Sequence, residues 1–167
     1  MKIVLIAHDI RSTHNVGAFF RTCDGLGIDE IIFSGYTPYP TLEKDTRLPH
    51  FSDKLTRQIH KTALGAETSV PFRRFDTLKE VLNNLASSVK IIALEQAKNS
   101  KTPSAVSMEL KSEDNVALII GNEIHGVDEE ILKSVDAIME IPMHGNKESL
   151  NVSVATGIAL YELSRVI

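Results

Sequence analysis

The sequence has a single cysteine, Cys23. This excludes an intramolecular disulfide framework and any zinc site built from several cysteines, and it suits a reducing compartment. No stretch approaches the ~18 uninterrupted apolar residues of a membrane-spanning helix. The start, Met1-Lys2-Ile3-Val4-Leu5-Ile6-Ala7-His8-Asp9, has a short apolar run ended by polar residues. It lacks the longer run and small-residue cleavage site of a signal peptide. The expectation is a soluble, cytoplasmic protein made in its mature form. Repeats, low-complexity tracts and linkers are also missing. The 167 residues, 43% hydrophobic and 24% charged, fit one globular domain over residues 1–167.

Several chemistries lack their signatures. There is no Gly-x-Gly-x-x-Gly turn and no Walker lysine loop. Gly-x-Ser-x-Gly and His-Glu-x-x-His are absent as well. The six histidines, His8, His14, His50, His60, His125 and His144, show no metal-ligand spacing, so no metal is expected. An overall positive charge is missing too: 18 Lys and Arg face 22 Asp and Glu, for a net −4. That total argues against a strongly basic nucleic-acid binder. The distribution qualifies it. Residues 44–74 hold seven cations (Lys44, Arg47, Lys54, Arg57, Lys61, Arg73, Arg74) and three anions (Asp45, Asp53, Glu67). The segment is therefore +4 and the remainder −8. A solvated surface helix and a polyanion-binding face both fit this pattern.

What is present is an alternation of short apolar runs with helical patterns, the mark of an α/β domain with a mostly parallel sheet flanked by helices. The continuous apolar runs 2–7, 29–34, 90–95, 116–120 and 137–141 read as strands buried on both faces. A weaker strand is expected near Val70 to Phe75. Helices are expected over about 15–26, with Asn15 as N-cap and Gly25 or Gly27 as the stop. Others fall at about 53–64, after the capping-box sequence Thr77-Leu78-Lys79-Glu80, at about 128–135 and at about 150–166. The last is apolar nearly all round (Leu150, Val152, Val154, Ala155, Ile158, Ala159, Leu160, Tyr161, Leu163, Val166). Such a helix must be covered, by the domain body or by a second subunit.

Three polar clusters each follow a strand, at the end where open parallel sheets bind ligands. The first is Asn15-Val16-Gly17-Ala18-Phe19-Phe20-Arg21. Its glycine permits close approach by a ligand or another chain. Its arginine, on the same helix face, either clamps a phosphate or pairs with Asp24. The second, Gly121-Asn122-Glu123-Ile124-His125-Gly126, reads as a tight loop that brings backbone groups to a ligand, or as an ordinary strand-to-helix turn. The third runs from Ile141 through Pro142-Met143-His144-Gly145-Asn146-Lys147-Glu148 to Ser149-Leu150-Asn151. In it Ser149 is a natural helix cap, and Asn151 is a polar residue in an apolar stretch.

In this order and spacing, the clusters resemble the three motifs of the SpoU (TrmH-type) RNA ribose 2′-O-methyltransferases of the SPOUT superfamily. Asn15-x-Gly17-x-x-x-Arg21 resembles the first motif. Leu118-Ile119-Ile120-Gly121-Asn122-Glu123-x-x-Gly126 resembles the second. Ile141-Pro142-Met143-x-Gly145-x-x-x-Ser149-Leu150-Asn151-Val152-Ser153-Val154-Ala155 resembles the third. The likeness implies an α/β fold with a C-terminal trefoil knot, an exception to the rule of un-knotted chains, and a homodimer. It implies S-adenosylmethionine (SAM) as cofactor, held in the knot by Leu94, Glu95, Gly121, Asn122, Gly126, Ile141, Met143, Ser149 and Leu150. It implies catalytic roles for Asn15, Arg21, Glu123, Ser149 and Asn151, with Arg21 acting in a site completed by the partner subunit. In that family the arginine corresponding to Arg21 is the usual candidate base. A guanidinium rarely deprotonates, so clamping a phosphate that takes the proton is the physically easier role.

The same resemblance makes RNA the partner, tRNA before rRNA, because the core carries no accessory RNA-binding domain. RNA contact is then expected at Arg21 and along residues 36–74, with Lys54, Arg57 and Lys61 on one helix side. Two other readings stay open: a knotted module that binds RNA or SAM without methylating, and a transferase that methylates a base nitrogen.

Overall fold

A computed structural model describes residues 1–166; Ile167, the end of the expected domain, lies outside them. Six parallel strands form one sheet in the order β3-β2-β1-β5-β4-β6. They are β1 (Ile3–His8), β2 (Glu30–Ser34), β3 (Phe72–Phe75), β4 (Val89–Leu94), β5 (Asn115–Ile120) and β6 (Ala137–Met139). The helices are α1 (Thr13–Leu26), α2 (Pro49–Ala63), α3 (Leu78–Asn84), α4 (Pro103–Glu109), α5 (Glu129–Leu132) and α6 (Val152–Ser164).

The apolar runs become central strands because side chains alternate between two covered faces. Leu5, Ala7, Phe33, Leu118 and Ile120 enter the larger core with Phe19 and Phe20 of α1, Ile59 of α2, Val106 of α4 and Leu160 of α6. Ile6, Ile32, Ala117 and Ile119 enter a thinner core with Leu78 and Val81 of α3. Phe20, Phe33 and Phe72 pack at centroid separations of 5.5–5.8 Å. Cys23 is buried in the larger core, which pushes its thiol pKa far up and leaves it protonated.

Several boundaries differ from the sequence expectation, each for a local reason. Ser12, not Asn15, caps α1: its hydroxyl accepts the Asn15 N–H at 3.3 Å. The cap moves back by one turn and the Asn15 amide is left free for other partners. Gly27 ends the helix at φ 66°, a left-handed conformation that glycine adopts without strain. Asn151, not Ser149, caps α6, accepting the Ser153 N–H at 2.8 Å. Strand β6 ends at Met139, where the Glu140 N–H still donates to the Lys101 carbonyl in a lone bridge, and Pro142 beyond it has no N–H to donate. Helix α5 is a single turn without a side-chain cap, shorter than expected. Helix α4 was not expected, although Thr102-Pro103 is a start signal: Thr102 Oγ1 accepts the Ala105 N–H and proline sits at the first helical position.

Helix α6 buries Thr156, Ala159, Leu160 and Leu163 against the domain. Its outer side leaves Val154, Ile158 and Tyr161 at 50%, 38% and 54% exposure, and Leu150, just before the helix, is 37% exposed. The body of the domain therefore covers one face and leaves an apolar stripe.

Candidate active site

Four loops leave the C-terminal ends of β1, β5, β4 and β6. The insertion of β5 between β1 and β4 brings them together. The loops after β4, β5 and β6 line a cleft of about 540 Å³, within the range of small-molecule sites. Leu94, Glu95, Gly121, Asn122, Gly126, Ile141, Met143, Ser149 and Leu150 all line it, as do Glu123 and Asn151. Arg21 and Asn15 do not.

The clusters meet through side chains. Asn151 Nδ2 donates to Asn15 Oδ1 at 3.4 Å, and Asn15 Nδ2 donates to Glu123 Oε1 at 3.0 Å. The Glu123 carboxylate also accepts the Arg11 N–H at 3.1 and 3.3 Å. This string ties the loops after β1, β5 and β6 to one another across 136 residues of sequence. It presents Glu123 and both asparagines at the mouth of the cleft.

The second cluster is held by hydrogen bonds and close backbone contacts. Asn122 spends its whole amide on structure. Its oxygen accepts the Ile124 and His125 N–H groups at 2.8 and 2.9 Å, and its nitrogen donates to the Asp9 carbonyl at 3.0 Å and Tyr36 Oη at 2.6 Å. A Cβ on Gly121 would overlap the Gly126 carbonyl group and the Val127 nitrogen, both backbone. Gly126, at φ 67°, lies against the Glu95 carboxylate, which accepts the Val127 N–H at 2.9 Å and the Gln96 N–H at 2.8 Å. The resemblance implies a cofactor contact for Glu95; in the structure its side chain clamps the glycine loop.

The third cluster is the opposite. Among the described residues, the only hydrogen bond that holds the backbone from Ile141 to Leu150 is from Gln96 Nε2 to the Glu148 carbonyl, at 2.5 Å. Its other backbone groups remain available to water or a ligand. With the apolar side chains of Leu94, Ile120, Ile141 and Met143, that suits a ligand with a flat apolar part and polar edges. Ser149 is exposed at the rim. Among the described residues, no three His, Cys, Asp or Glu side chains converge as metal ligands.

The first cluster needs two corrections. Gly17 makes room for α2 of the same chain: a Cβ there would strike Thr62 Oγ1 and the Ile59 carbonyl. Gly17 and Arg21 therefore do not share an accessible face, for Gly17 is buried while Arg21 is exposed. Nor does Arg21 pair with Asp24, whose carboxylate accepts the Ser69 hydroxyl at 2.7 Å. Among the described residues the Arg21 side chain has no ion pair and no hydrogen bond.

The basic segment shrinks in three dimensions. Arg47 is neutralised by Asp45, donates to the carbonyls of Tyr39 and Pro40, and lies 3.6 Å from the centroid of the Tyr39 ring. This pairing holds the Asp45 carboxyl well below its usual range. Arg73 pairs with Glu30, and Arg74 with Asp76. Lys54, Arg57 and Lys61 remain exposed on α2 and, among the described residues, make no ion pair.

Residues that sequence reading did not single out are Arg11, Gln96 and Tyr36, the last covered only by the broad 36–74 segment. Their signal was weak: each is a polar or aromatic residue within a few positions of a strand end.

Comparison with known proteins gives a consistent picture. The model of the SpoU rRNA Methylase family matches residues 2–161. The chain is 31% identical over 163 residues to "tRNA (guanosine(18)-2′-O)-methyltransferase" of Aquifex aeolicus, covering 98% of this chain and 69% of that protein. It is 31% identical over the same length to "23S rRNA (guanosine-2′-O-)-methyltransferase RlmB" of Haemophilus ducreyi, covering 98% of this chain and 59% of the relative. The AdoMet-bound rRNA methyltransferase of Sinorhizobium meliloti superposes with TM-score 0.76 at 27% identity, over 98% of this chain and 56% of that one. The chain thus spans between about half and about two thirds of these relatives.

Proposed function

This chain belongs to the SpoU rRNA methylase family, and on that premise we propose that it transfers a methyl group from S-adenosylmethionine to a ribose 2′-hydroxyl of RNA. The observation that carries the reading is the string Asn151–Asn15–Glu123 at the mouth of a cleft lined by unpaired backbone and apolar side chains. Bound in that cleft, the cofactor supplies an electrophilic methyl carbon on a sulfonium. The backbone of Ile141, Met143 and Leu150 and the floor at Gly121 are the groups proposed to hold it, with Leu94 and Ile120 excluding water. The knot implied by the resemblance is proposed for these same segments, with the Gln96–Glu148 contact as its clasp.

The chain's own residues would then orient the hydroxyl. Glu123 holds Asn15, which with Asn151 and Ser149 supplies amide and hydroxyl groups to the ribose edge. Positioning of this kind, in a site closed to water, provides much of the rate. Arg21 stands outside the cleft of its own subunit. We place it in the site of a second copy, where its guanidinium clamps the phosphate beside the target ribose and steers a phosphate oxygen to take the proton.

A homodimer supplies that second copy. The stripe Leu150, Val154, Ile158 and Tyr161 is its proposed interface, next to α1, where Gly157 approaches Thr22. Replacing Ile158 with glutamate is expected to give a monomer in sedimentation and to reduce methyl transfer at least tenfold while the cleft stays folded. A dimer of wild-type stability would remove this surface from the interface.

RNA is proposed to lie across α2. Replacing Lys54, Arg57 and Lys61 together with alanine should lower the slope of log affinity against log salt by about 2, at ~0.7 per phosphate contact on single strands; an unchanged slope would displace RNA from α2. Of RNA classes tRNA is preferred, since the relative spanned more fully is named for it. The described sheet is proposed as the whole catalytic unit. An RNA substrate and a lone buried thiol fit a cytosolic setting.

The deciding experiment incubates the protein with radiolabelled S-adenosylmethionine and total RNA. Label recovered in an alkali-resistant dinucleotide supports the reading, because 2′-O-methylation blocks alkaline cleavage. Label on a base would shift it to a nitrogen transferase. No label, with the cofactor bound, would leave a binding module.

A further inference from the structure

A second cavity, of about 650 Å³, opens at the same rim of the sheet, beyond β1 and β2. Its walls include Arg11, Tyr36, Tyr39, Phe51, Gln58 and Arg74. Two of these are exposed aromatic rings, Tyr36 at 59% and Phe51 at 49%. Rings are costly to leave in water and have a face on which a flat, polar ring can stack. The Arg11 side chain is exposed and, among the described residues, has no hydrogen bond or ion pair. Arg74 Nε is buried and has no partner among the described residues, although the rest of that guanidinium is bound to Asp76 and the Gly35 carbonyl. The cavity thus offers stacking surfaces, one free cation and one unused N–H donor.

It is also tied to the candidate active site by its own walls. Tyr36 Oη accepts from Asn122, and the Arg11 N–H donates to Glu123. Arg11 belongs to both places: its backbone N–H is bound to Glu123 and its side chain lines the cavity.

We propose that the cavity takes an unpaired nucleotide of the substrate RNA that flanks the methylated one, its base stacked between Tyr36 and Phe51 and its phosphate held by Arg11. This rests on the reading of the first cleft as an RNA methyltransferase site and deepens it: the substrate is single-stranded at two neighbouring nucleotides. A stacked base within a duplex presents no free face to the two rings.

The test uses the full chain and an oligouridine RNA carrying 5-iodouridine, irradiated and mapped by mass spectrometry. Crosslinks at Tyr36 or Phe51 are expected. Phe51→Ala and Arg11→Glu, both at exposed positions, are each expected to weaken binding of that RNA about tenfold, with affinity for S-adenosylmethionine unchanged as the check on folding. Crosslinks confined to other residues, together with wild-type affinities, would overturn the proposal. So would full competition by uridine 5′-monophosphate without oligonucleotide binding, which would make the cavity a free-nucleotide site. The two readings fail separately. Methylation with a wild-type KM for RNA in both variants would sink the cavity and spare the transferase. RNA held in the cavity but never methylated would sink the transferase and spare the cavity.

Discussion

Replacing Arg21 with alanine is expected to reduce methyl transfer by about 10²–10³-fold, the usual loss when one group that stabilises developing charge is removed. Affinity for S-adenosylmethionine should not change, because Arg21 is outside the cleft. Helix α1 should also stay intact, since the exposed guanidinium makes no ion pair or hydrogen bond among the described residues. A complementation experiment isolates the shared-site model. Subunits carrying Arg21→Ala, mixed equally with subunits carrying Asn151→Ala, should regain about a quarter of wild-type activity. Half of the dimers are then mixed, and each mixed dimer assembles one intact site. If the mixture stays inactive while mixed dimers form, Arg21 does not act on the partner. If Arg21→Ala alone retains full turnover, the arginine has no catalytic part at all.

Replacing Gly121 with valine is expected to abolish cofactor binding at micromolar concentration, a loss of more than tenfold, which corresponds to about 1.4 kcal/mol or more. The clash is with backbone, at the Gly126 carbonyl group and the Val127 nitrogen, so no side chain can swing away. The loop would have to open. The bonds that fix it, from Val127 to Glu95 and from Ile124 and His125 to Asn122, would be strained together. Calorimetric titration measures the affinity, and a melting curve separates loss of the site from loss of the fold. Wild-type affinity in a folded variant would remove the loop from the cofactor site. Gly145, by contrast, has open space around it, and Gly145→Ala should bind the cofactor normally.

Local signals settled much of this protein. The apolar runs specified five strands because a strand buried on both faces needs no polar residue; β3, at the sheet edge with Arg73 and Arg74, gave a weaker signal. Thr77 and Glu80 specified the start of α3, and Gly27 the end of α1, because capping bonds and left-handed backbone are decided within a few residues. The motif spacing placed Glu123, Asn15, Ser149 and Asn151 at strand ends on one rim of the sheet. Tertiary structure decided what spacing leaves open. Which loops meet depends on β5 lying between β1 and β4, a non-local choice that joins Asn151 to Asn15. Gly17 looked like an opening for a ligand and proved to be the contact with α2, because only the packed helix shows what fills the space above it. Arg47, Arg73 and Arg74 counted as free cations in the sequence, yet each folds onto an acid: Asp45 and Asp76 are two residues away, while Glu30 arrives on the neighbouring strand. Asn122 belonged to the motif from the start, but only the three-dimensional bonds show its amide spent on Asp9, Tyr36 and its own loop. Charge counts and motif letters record which groups exist. Their partners are fixed by chain segments that distance along the sequence does not relate.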